Sequence, residues 1–331
     1  MIEYPVNEAL LCQKRDEWFA KLQDFFDGKV SYPQGFRMFG SAAWVPVDIC
    51  KEPEAWVDAC LEDIAKNRAT AVLNDEKFVP VCLWCWILGV HFMDKVLGGD
   101  VYFSNGDCNC AYLKTPIGEL SEPNLEINET FQIAVRAAKR FAEVGGDYPI
   151  FGLPVIASSL NIGINLYGQE LLIAMLEEPE AARKDLETIN RTLIKAHKIL
   201  QGIIPRQQLQ CTVTDSRTQP PGYGQICGCS THLLSGSLYG EMVADLDDAL
   251  LGAYEKGGMI HLCGGHTQHI ETFAAMKNLK TIQLNDRAAG DLETYFKGLR
   301  KDQIIYLNPC PEMSVERALE ITKGERLVIV Q

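Results

Sequence analysis

A histidine and a cysteine separated by one residue give the strongest chemical signal in this sequence. They lie in the segment I-H-L-C-G-G, residues 260–265, at the end of an apolar run and ahead of a predicted helix. Residues i and i+2 of a strand point to the same side, so His261 and Cys263 are expected to project together. An imidazole and a thiolate are both zinc ligands. An isolated H-x-C is usually a core cysteine beside a hydrogen-bonded histidine. Because this pair lies at a strand end, a metal site and a packing role are about equally expected.

A third ligand must come from another strand end. Cys310 follows a later apolar run, and Cys227 and Cys229 form a C-x-C at the end of an earlier one. A site of His261, Cys263 and Cys310 would leave a fourth position open for substrate, as catalytic zinc requires. A site that includes Cys229 is the main alternative, and four protein ligands would indicate a structural zinc instead.

Residues beside this predicted metal site are candidates for ligand contact. Gly264 and Gly265 lack side chains, which allows a ligand to approach the backbone closely. Asp286 comes just after an apolar run, so it is expected either to contact the substrate or to cap a loop, and the cap is favoured. Asp215 also follows a strand-like run.

Most other histidines and cysteines are predicted to be packing residues. His91 is flanked by apolar residues and His197 lies on a helical stripe of leucines, so both are expected to be buried. The C-x-x-C of Cys82 and Cys85 is interleaved with tryptophans, which is typical of a core segment and not of a redox motif. His266 is expected either to reach the predicted site or to cap a helix.

The positions of the apolar runs predict the elements that carry these residues. Short runs bounded by turn residues are typical of buried strands. The predicted strands are Trp44–Val47, Ala71–Leu73, Ile150–Ala157, Gln225–Cys229, Met259–Cys263, Thr281–Leu284, Ile304–Leu307 and Leu327–Val330. Helical patterns occur before Gly28, from Pro53, and over residues 179–200 and 238–254. About eight strands alternating with helices predict a (β/α)8 barrel, whose active site lies at the carboxyl ends of its strands.

The remaining segments are placed relative to this barrel. The first helix is predicted to be an N-terminal extension, and residues 88–141 an irregular insertion near the barrel mouth. The whole chain, residues 1–331, is predicted to form one domain. No G-x-G-x-x-G or Walker motif follows any strand, which argues against an open nucleotide-binding sheet.

Composition narrows the possible partners and compartment. The chain has a net charge of −13 and no cluster of lysines and arginines, so no nucleic-acid partner is expected. No apolar run is long enough for a membrane span, and the first residues do not form a signal peptide. Twelve cysteines without a secretion signal predict free thiols and a cytoplasmic location.

From residue 149 onward the sequence resembles the uroporphyrinogen decarboxylase superfamily, most closely its methylcobalamin-dependent methyltransferases. The I-H-x-C-G segment is the most specific match. Weaker matches are G-L-P-V (152–155), L-Y-G (166–168), E-P-E (178–180), C-S with L-L-S (229–235), and the late strand at 304–309 with S-V-E (314–316). The resemblance implies the barrel fold, and it adds Ser230 to Gly264, Gly265 and Asp286 as predicted cofactor contacts.

The resemblance implies a zinc-dependent transfer of a methyl group from a methylated corrinoid, carried by a partner corrinoid protein, to a small thiol or similar acceptor. A homodimer is also an expectation. The arginine-rich N-terminal motif of the true decarboxylases is absent, which disfavours a substrate with eight carboxylates. The family's third zinc ligand follows the last strand, whereas Cys310 precedes it. A decarboxylase-like lyase and a non-catalytic barrel that binds a corrinoid or tetrapyrrole remain the alternatives.

Overall fold

The fold is known from a computed structural model that describes residues 3–154, 157–211 and 217–331. Its strands are β1 (Phe36–Met38), β2 (Ser41–Ala42), β3 (Val81–Trp84), β4 (Asp100–Ser104), β5 (Asp107–Ala111), β6 (Ile150–Gly152), β7 (Leu209–Gln210), β8 (Gly224–Cys227), β9 (Gly258–Cys263), β10 (Leu279–Asn285), β11 (Ile304–Leu307) and β12 (Leu327–Val330).

The helices of the described residues alternate with these strands over much of the chain. They are α1 (Glu8–Phe26), α2 (Pro53–Asp63), α3 (Phe92–Val96), α4 (Glu129–Val144), α5 (Ser159–Tyr167), α6 (Gln169–Glu177), α7 (Pro179–Gln201), α8 (Gly236–Met242), α9 (Ala244–Leu251), α10 (Ile270–Ala275), α11 (Arg287–Gly290), α12 (Leu292–Gly298) and α13 (Val315–Thr322). No described helix has both the length and the apolar composition that crossing a bilayer requires.

Two parallel sheets form the centre of the fold. One has six strands in the order β1-β12-β11-β10-β9-β8, and the other has four in the order β2-β3-β6-β7. All neighbours within these two sheets are parallel. Strands β11 and β12 are buried at every residue, as expected for parallel strands covered on both faces. The predicted parallel α/β fold is therefore confirmed.

A short segment at residues 218–219 lies between the two sheets. From the four-stranded sheet, the Oε1 of Gln210 accepts a hydrogen bond of 3.1 Å from the Gln219 amide. From the six-stranded sheet, the hydroxyl of Thr281 donates to the Gln219 side chain, and that of Tyr306 donates to the Thr218 carbonyl oxygen. Single parallel bridges, Met38 with Phe78 and Ala157 with Cys227, add contacts between the edges of the sheets.

Two of the predicted strands are wrong. Trp44 is 78% exposed and lies beyond β2, and the predicted strand at 71–73 belongs to a 3-10 turn, Ala69–Leu73. The strand of this region is β3, which contains Cys82 of the C-x-x-C segment and ends just before Cys85; both cysteines are buried, as predicted. A run of three or four apolar residues is too short for its sequence pattern to distinguish a strand from a helical turn. Here the segment that forms a strand is the one that pairs with β6.

Other boundaries also differ from prediction. Strand β6 ends at Gly152, and of the predicted strand to Ala157, residues 155–156 lie outside the described residues. The predicted helix at 238–254 is two helices, α8 and α9, which meet at Val243. The predicted irregular insertion contains a β4-β5 hairpin, whose turn residues Asn105 and Gly106 both have positive φ, and most of the regular helix α4. The helices predicted near the N-terminus, at Pro53 and at Pro179 are confirmed.

The pairing of β8 with β9 depends on two facing glycines. Gly224 lies opposite Gly258, and a Cβ atom on Gly258 would come within 2.3 Å of the Gly224 carbonyl oxygen. We expect Gly258→Ala to separate the strands and to lower the free energy of unfolding by about 1–3 kcal/mol. Denaturant unfolding measures this change.

The control for this substitution is Gly240→Ala. This glycine lies on α8, where the nearest atom to an added Cβ is 3.9 Å away, so alanine should leave stability unchanged or raise it by up to about 1 kcal/mol. Equal unfolding midpoints for the two variants would contradict the close-packed strand pair.

Candidate metal and thiol site

Four potential metal ligands gather at the carboxyl ends of β8 and β9. Cys227 is the last residue of β8 and pairs with His261 on β9. Cys263 ends β9, and Cys229 begins a 3-10 turn just after β8. The site therefore lies where a parallel strand pair opens into loops, the position at which α/β folds place their ligands.

The donor atoms form a chain of close contacts. The Sγ atoms of Cys227 and Cys229 are 3.4 Å apart, and those of Cys229 and Cys263 are 3.0 Å apart. The Sγ of Cys263 lies 2.9 Å from Nε2 of His261. The ligand atoms of Cys227, Cys229 and His261 all lie within 4.8 Å of one another. Thiols and an imidazole are zinc ligands, and Cys227, Cys229 and His261 lie close enough together to share one ion. Cys263 contacts two of these residues but is not in the mutually close group.

The side chain of Gln283 on β10 orients His261. Its Oε1 contacts Nδ1 of the imidazole, and its Nε2 donates to Oδ1 of Asn308. An amide nitrogen that donates to Asn308 fixes the amide oxygen toward His261, so Nδ1 is the protonated ring nitrogen. Nε2 is the ring nitrogen that faces the thiols, and it is the atom that a metal bound at the cluster would take.

Asn161 holds the turn that carries Cys229. It lies on α5, whose first turn is capped by the side chain of Ser158. The Asn161 amide nitrogen donates to Sγ of Cys227 at 3.4 Å, and its oxygen accepts from the backbone N–H of Ser230 at 3.1 Å. One side chain thus fixes both a candidate ligand and the loop that follows it.

A buried arginine faces the thiols. Arg217 is 8% exposed, and its Nε and Nη1 atoms have no hydrogen-bond partner within the described part of the chain. Burial lowers the pKa of this guanidinium, whereas negative charge on Cys227, Cys263 or Cys229 raises it. A buried cation without an acid partner is costly, so thiolates at the cluster stabilise it.

The thiols differ strongly in acidity. The hydrogen bond with Cys229 and the charge of His261 lower the pKa of Cys227 to about 6, against the effect of burial. The hydrogen bond from Cys229, assisted by His261, lowers the pKa of Cys263 to about 4. The pKa of Cys229 is raised, because its hydrogen is shared with both neighbours and because it is buried. The cluster at neutral pH is therefore two thiolates held around one thiol.

The structure brings some of the predicted site residues together and leaves others apart. Cys310 lies in the loop after β11, where its backbone pairs with Met313. Neither Cys310 nor Cys263 is in the group of mutually close donors, although Cys263 contacts two of its members. Gly264 has a φ of +94°, and neither it nor Gly265 would crowd a neighbour if a Cβ were added, so the space beside Cys263 is open. Asp286 is exposed and accepts a hydrogen bond from the Asn285 side chain at 2.9 Å. The predicted Asp215 lies outside the described residues.

His266 does not direct its ring at the thiols. Its Nδ1 contacts the hydroxyl of Thr231 at 2.9 Å, and its Nε2 lies 2.8 Å from the carbonyl oxygen of Cys263. Burial is the main cause that lowers the pKa of this imidazole to about 4. Its role is to tie the loop after β9 to the turn after β8.

Several functional residues were not identified from sequence. Cys227 was noted only as part of a C-x-C, and Asn161, Gln283, Asn308 and Arg217 were not singled out. Gln283 carried a usable signal, because it is a lone amide inside an apolar run. The other three reach the site from separate parts of the chain, and no spacing along the sequence relates them to it.

Comparisons with known proteins define the fold but not a family. No family model matches the sequence, and no curated protein matches it. Among solved structures, the fold is similar to that of a methyltransferase from Methanosarcina mazei, with a TM-score of 0.58 and 12% sequence identity. The similarity covers 87% of this chain and 81% of the other.

Proposed function

We propose that this protein is a zinc-dependent methyltransferase that transfers a methyl group from a methylated corrinoid to a small thiol. The observation that carries the proposal is the cluster of Cys227, Cys229 and His261, with Cys263 in contact with two of them. Two thiols and an imidazole are a zinc donor set that leaves a fourth position open for the acceptor, and Cys263 borders the open space at Gly264. We propose Cys227, Cys229 and His261 as the ligands, in place of Cys263 and Cys310.

The proposal includes a closed (β/α)8-type barrel. The two sheets would form its wall, with residues 218–219 inside, because both sheets hydrogen-bond to that segment. The thiol cluster would then lie at the barrel mouth. The similarity to a solved methyltransferase supports the same arrangement at the level of fold.

The residues around the cluster have separable tasks in this reaction. Zinc bound there would supply a Lewis acid that keeps an acceptor sulfur in its thiolate form at neutral pH. Gln283 holds His261 with Nε2 toward the donors, and Asn161 holds the loop of Cys229. Arg217 offsets the negative charge that three thiolates would concentrate in a buried site.

The proposal that a methylated corrinoid is the methyl donor is supported by the sequence resemblance and by the fold. The I-H-L-C-G segment resembles that of the corrinoid methyltransferases, and the structural neighbour is a methyltransferase. We propose that a partner corrinoid protein presents the donor at the open side of the cluster. Free thiols also favour a reducing compartment, which we propose to be the cytoplasm.

Cys227→Ser tests the proposal. We expect purified wild-type protein to contain zinc and to transfer methyl groups from methylcobalamin to 2-mercaptoethanol, followed by the absorbance change of the corrinoid. Loss of a ligand should remove most of the zinc and lower the rate at least about 100-fold.

The matched control is Cys12→Ser, which replaces a partly buried cysteine on α1 that is remote from the cluster along the chain. It should keep both zinc and activity. Methyl transfer by metal-free protein would contradict the zinc proposal. Ready conversion of uroporphyrinogen to coproporphyrinogen would show a decarboxylase instead.

A further inference from the structure

A second cluster of polar side chains lies beside the thiols and is not used by the proposed reaction. Nδ1 of His91 is 2.6 Å from Oδ2 of Asp94, and the Asn165 amide donates to the same oxygen at 2.9 Å. Asp94 is 0% exposed, and its second oxygen has no partner among the described residues. A fully buried carboxylate is costly, so one without a cationic lysine or arginine partner needs a reason.

His91 is the accessible member of this cluster. Its side chain is 15% exposed, and its only hydrogen bond in the described chain is made by Nδ1. Nε2 is therefore free to contact a bound molecule. A carboxylate at Nδ1 fixes the ring and stabilises the imidazolium that forms when Nε2 takes a proton, which is the arrangement of a general base.

Helix α5 joins this cluster to the thiols. Asn161 contacts Cys227 and Asn165 contacts Asp94, and the two asparagines are four residues apart on the same helix. Residues at this spacing are neighbours on one helix face, with Cβ atoms about 5–6 Å apart. The His91–Asp94 pair thus lies about one helical turn along α5 from the thiol cluster.

Within the described ranges, no lysine or arginine forms an ion pair with Asp94. From β5, the thiols of Cys108 and Cys110 face the carboxylate. Lys95 on α3 and Asp100 on β4 act on Cys110, with opposite effects on its pKa. Burial raises the pKa of Asp94, and the hydrogen bond with His91 acts in the opposite direction.

We propose that His91 is the general base that accepts the proton of the acceptor thiol, with Asp94 and Asn165 as its positioning residues. This inference rests on the proposed function. The S–H bond breaks, and the proton passes to Nε2 of His91 directly or through one water. The electron pair left on sulfur forms the new S–CH3 bond. The Co–C bond of the methylcobalamin donor breaks, and its electron pair stays on cobalt.

Proton counting tests this role without turnover. Binding of 2-mercaptoethanol to zinc-loaded protein is measured by calorimetry in buffers of different ionisation enthalpy. Wild type should retain the thiol proton on His91, whereas His91→Gln should release about one more proton to the buffer. In methyl transfer, His91→Gln should be slower by about 100-fold.

Asp185→Asn is the matched control for Asp94→Asn. Asp185 is also 0% exposed, but it accepts from Gly118 N, Leu120 N and the Tyr167 hydroxyl, away from His91. Both substitutions should lower stability, and only Asp94→Asn should change the proton count. If Asp94→Asn does not fold, His91→Gln, at a partly exposed position, decides the question alone.

The outcomes separate the two proposals. Wild type that binds the thiol but shows the same proton count as His91→Gln overturns the role of His91 and leaves the methyltransferase proposal intact. Wild type that binds zinc but neither binds nor methylates the thiol overturns both.

Discussion

Cys229→Ser is expected to lower zinc affinity by about 100–1000-fold. Structural zinc sites bind with about 10–16 kcal/mol in total, so loss of one ligand is expected to cost about 3–4 kcal/mol. Cys229 is the central donor, since its Sγ contacts both Cys227 and Cys263. A serine hydroxyl is a poor replacement, because it is not deprotonated at neutral pH. Competition with a chromophoric chelator measures the affinity.

Cys310→Ser is the informative comparison. Cys310 was predicted from sequence as the third ligand, but it is not in the group of mutually close donors, so its replacement should leave the zinc affinity within about twofold of wild type. An equal loss for Cys310→Ser and Cys229→Ser would mean that the loop after β11 closes onto the metal, and that the ligand set proposed from the structure is wrong.

Zinc affinity should rise with pH, and its slope should change near pH 6. Above that pH, Cys227 and Cys263 are already thiolates, since their pKa values are about 6 and about 4, and zinc must displace only the proton of Cys229, whose pKa is raised. One displaced proton gives about a tenfold gain in affinity for each pH unit. Between pH 4 and 6 zinc must also displace the proton of Cys227. The two thiol protons together then change the zinc affinity about a hundredfold for each pH unit.

Chelator competition between pH 5 and 8 gives this slope directly. Proton release on zinc addition to weakly buffered protein at pH 7.5 provides an independent count of about one. A flat dependence above pH 6.5 would mean that Cys229 is not a ligand. A slope near two at pH 7 would mean that the low pKa of Cys227 is absent and that both cysteine ligands begin as thiols.

The late strands and the H-x-C pair could be predicted from sequence because their signals are local. Strands β9 to β12 are apolar runs bounded by turns, and they are found within a few residues of their predicted limits. His261 and Cys263 follow from alternation along one strand. Cys229 could be named as an alternative ligand for the same reason, although it lies in a 3-10 turn and not at the end of a strand.

The remainder of the site depends on contacts between distant segments. Asn161 reaches Cys227 because α5 packs across the end of β8, and Gln283 reaches His261 because β10 pairs with β9 in one particular register. His91 looked like a packing residue, since its neighbours in sequence are apolar, and only the buried Asp94 beside it distinguishes it. A single sequence indicates where helices and strands form, but it does not indicate which distant side chains come into contact.

The ligand set is compact along the chain, and this has a consequence for biosynthesis. The three proposed ligands and the adjacent Cys263 all lie in the β8-α8-α9-β9 unit, residues 224–263, whose two strands pair directly. Closing so short a loop costs little entropy, so this unit can assemble early and load its ion while residues 264–331 are still being synthesised. Gln283, which orients His261, arrives only with β10. Zinc bound before β10 is synthesised would therefore be held by a histidine whose ring is not yet oriented. Pairing of β10 with β9 would then fix the His261 ring and tighten the site.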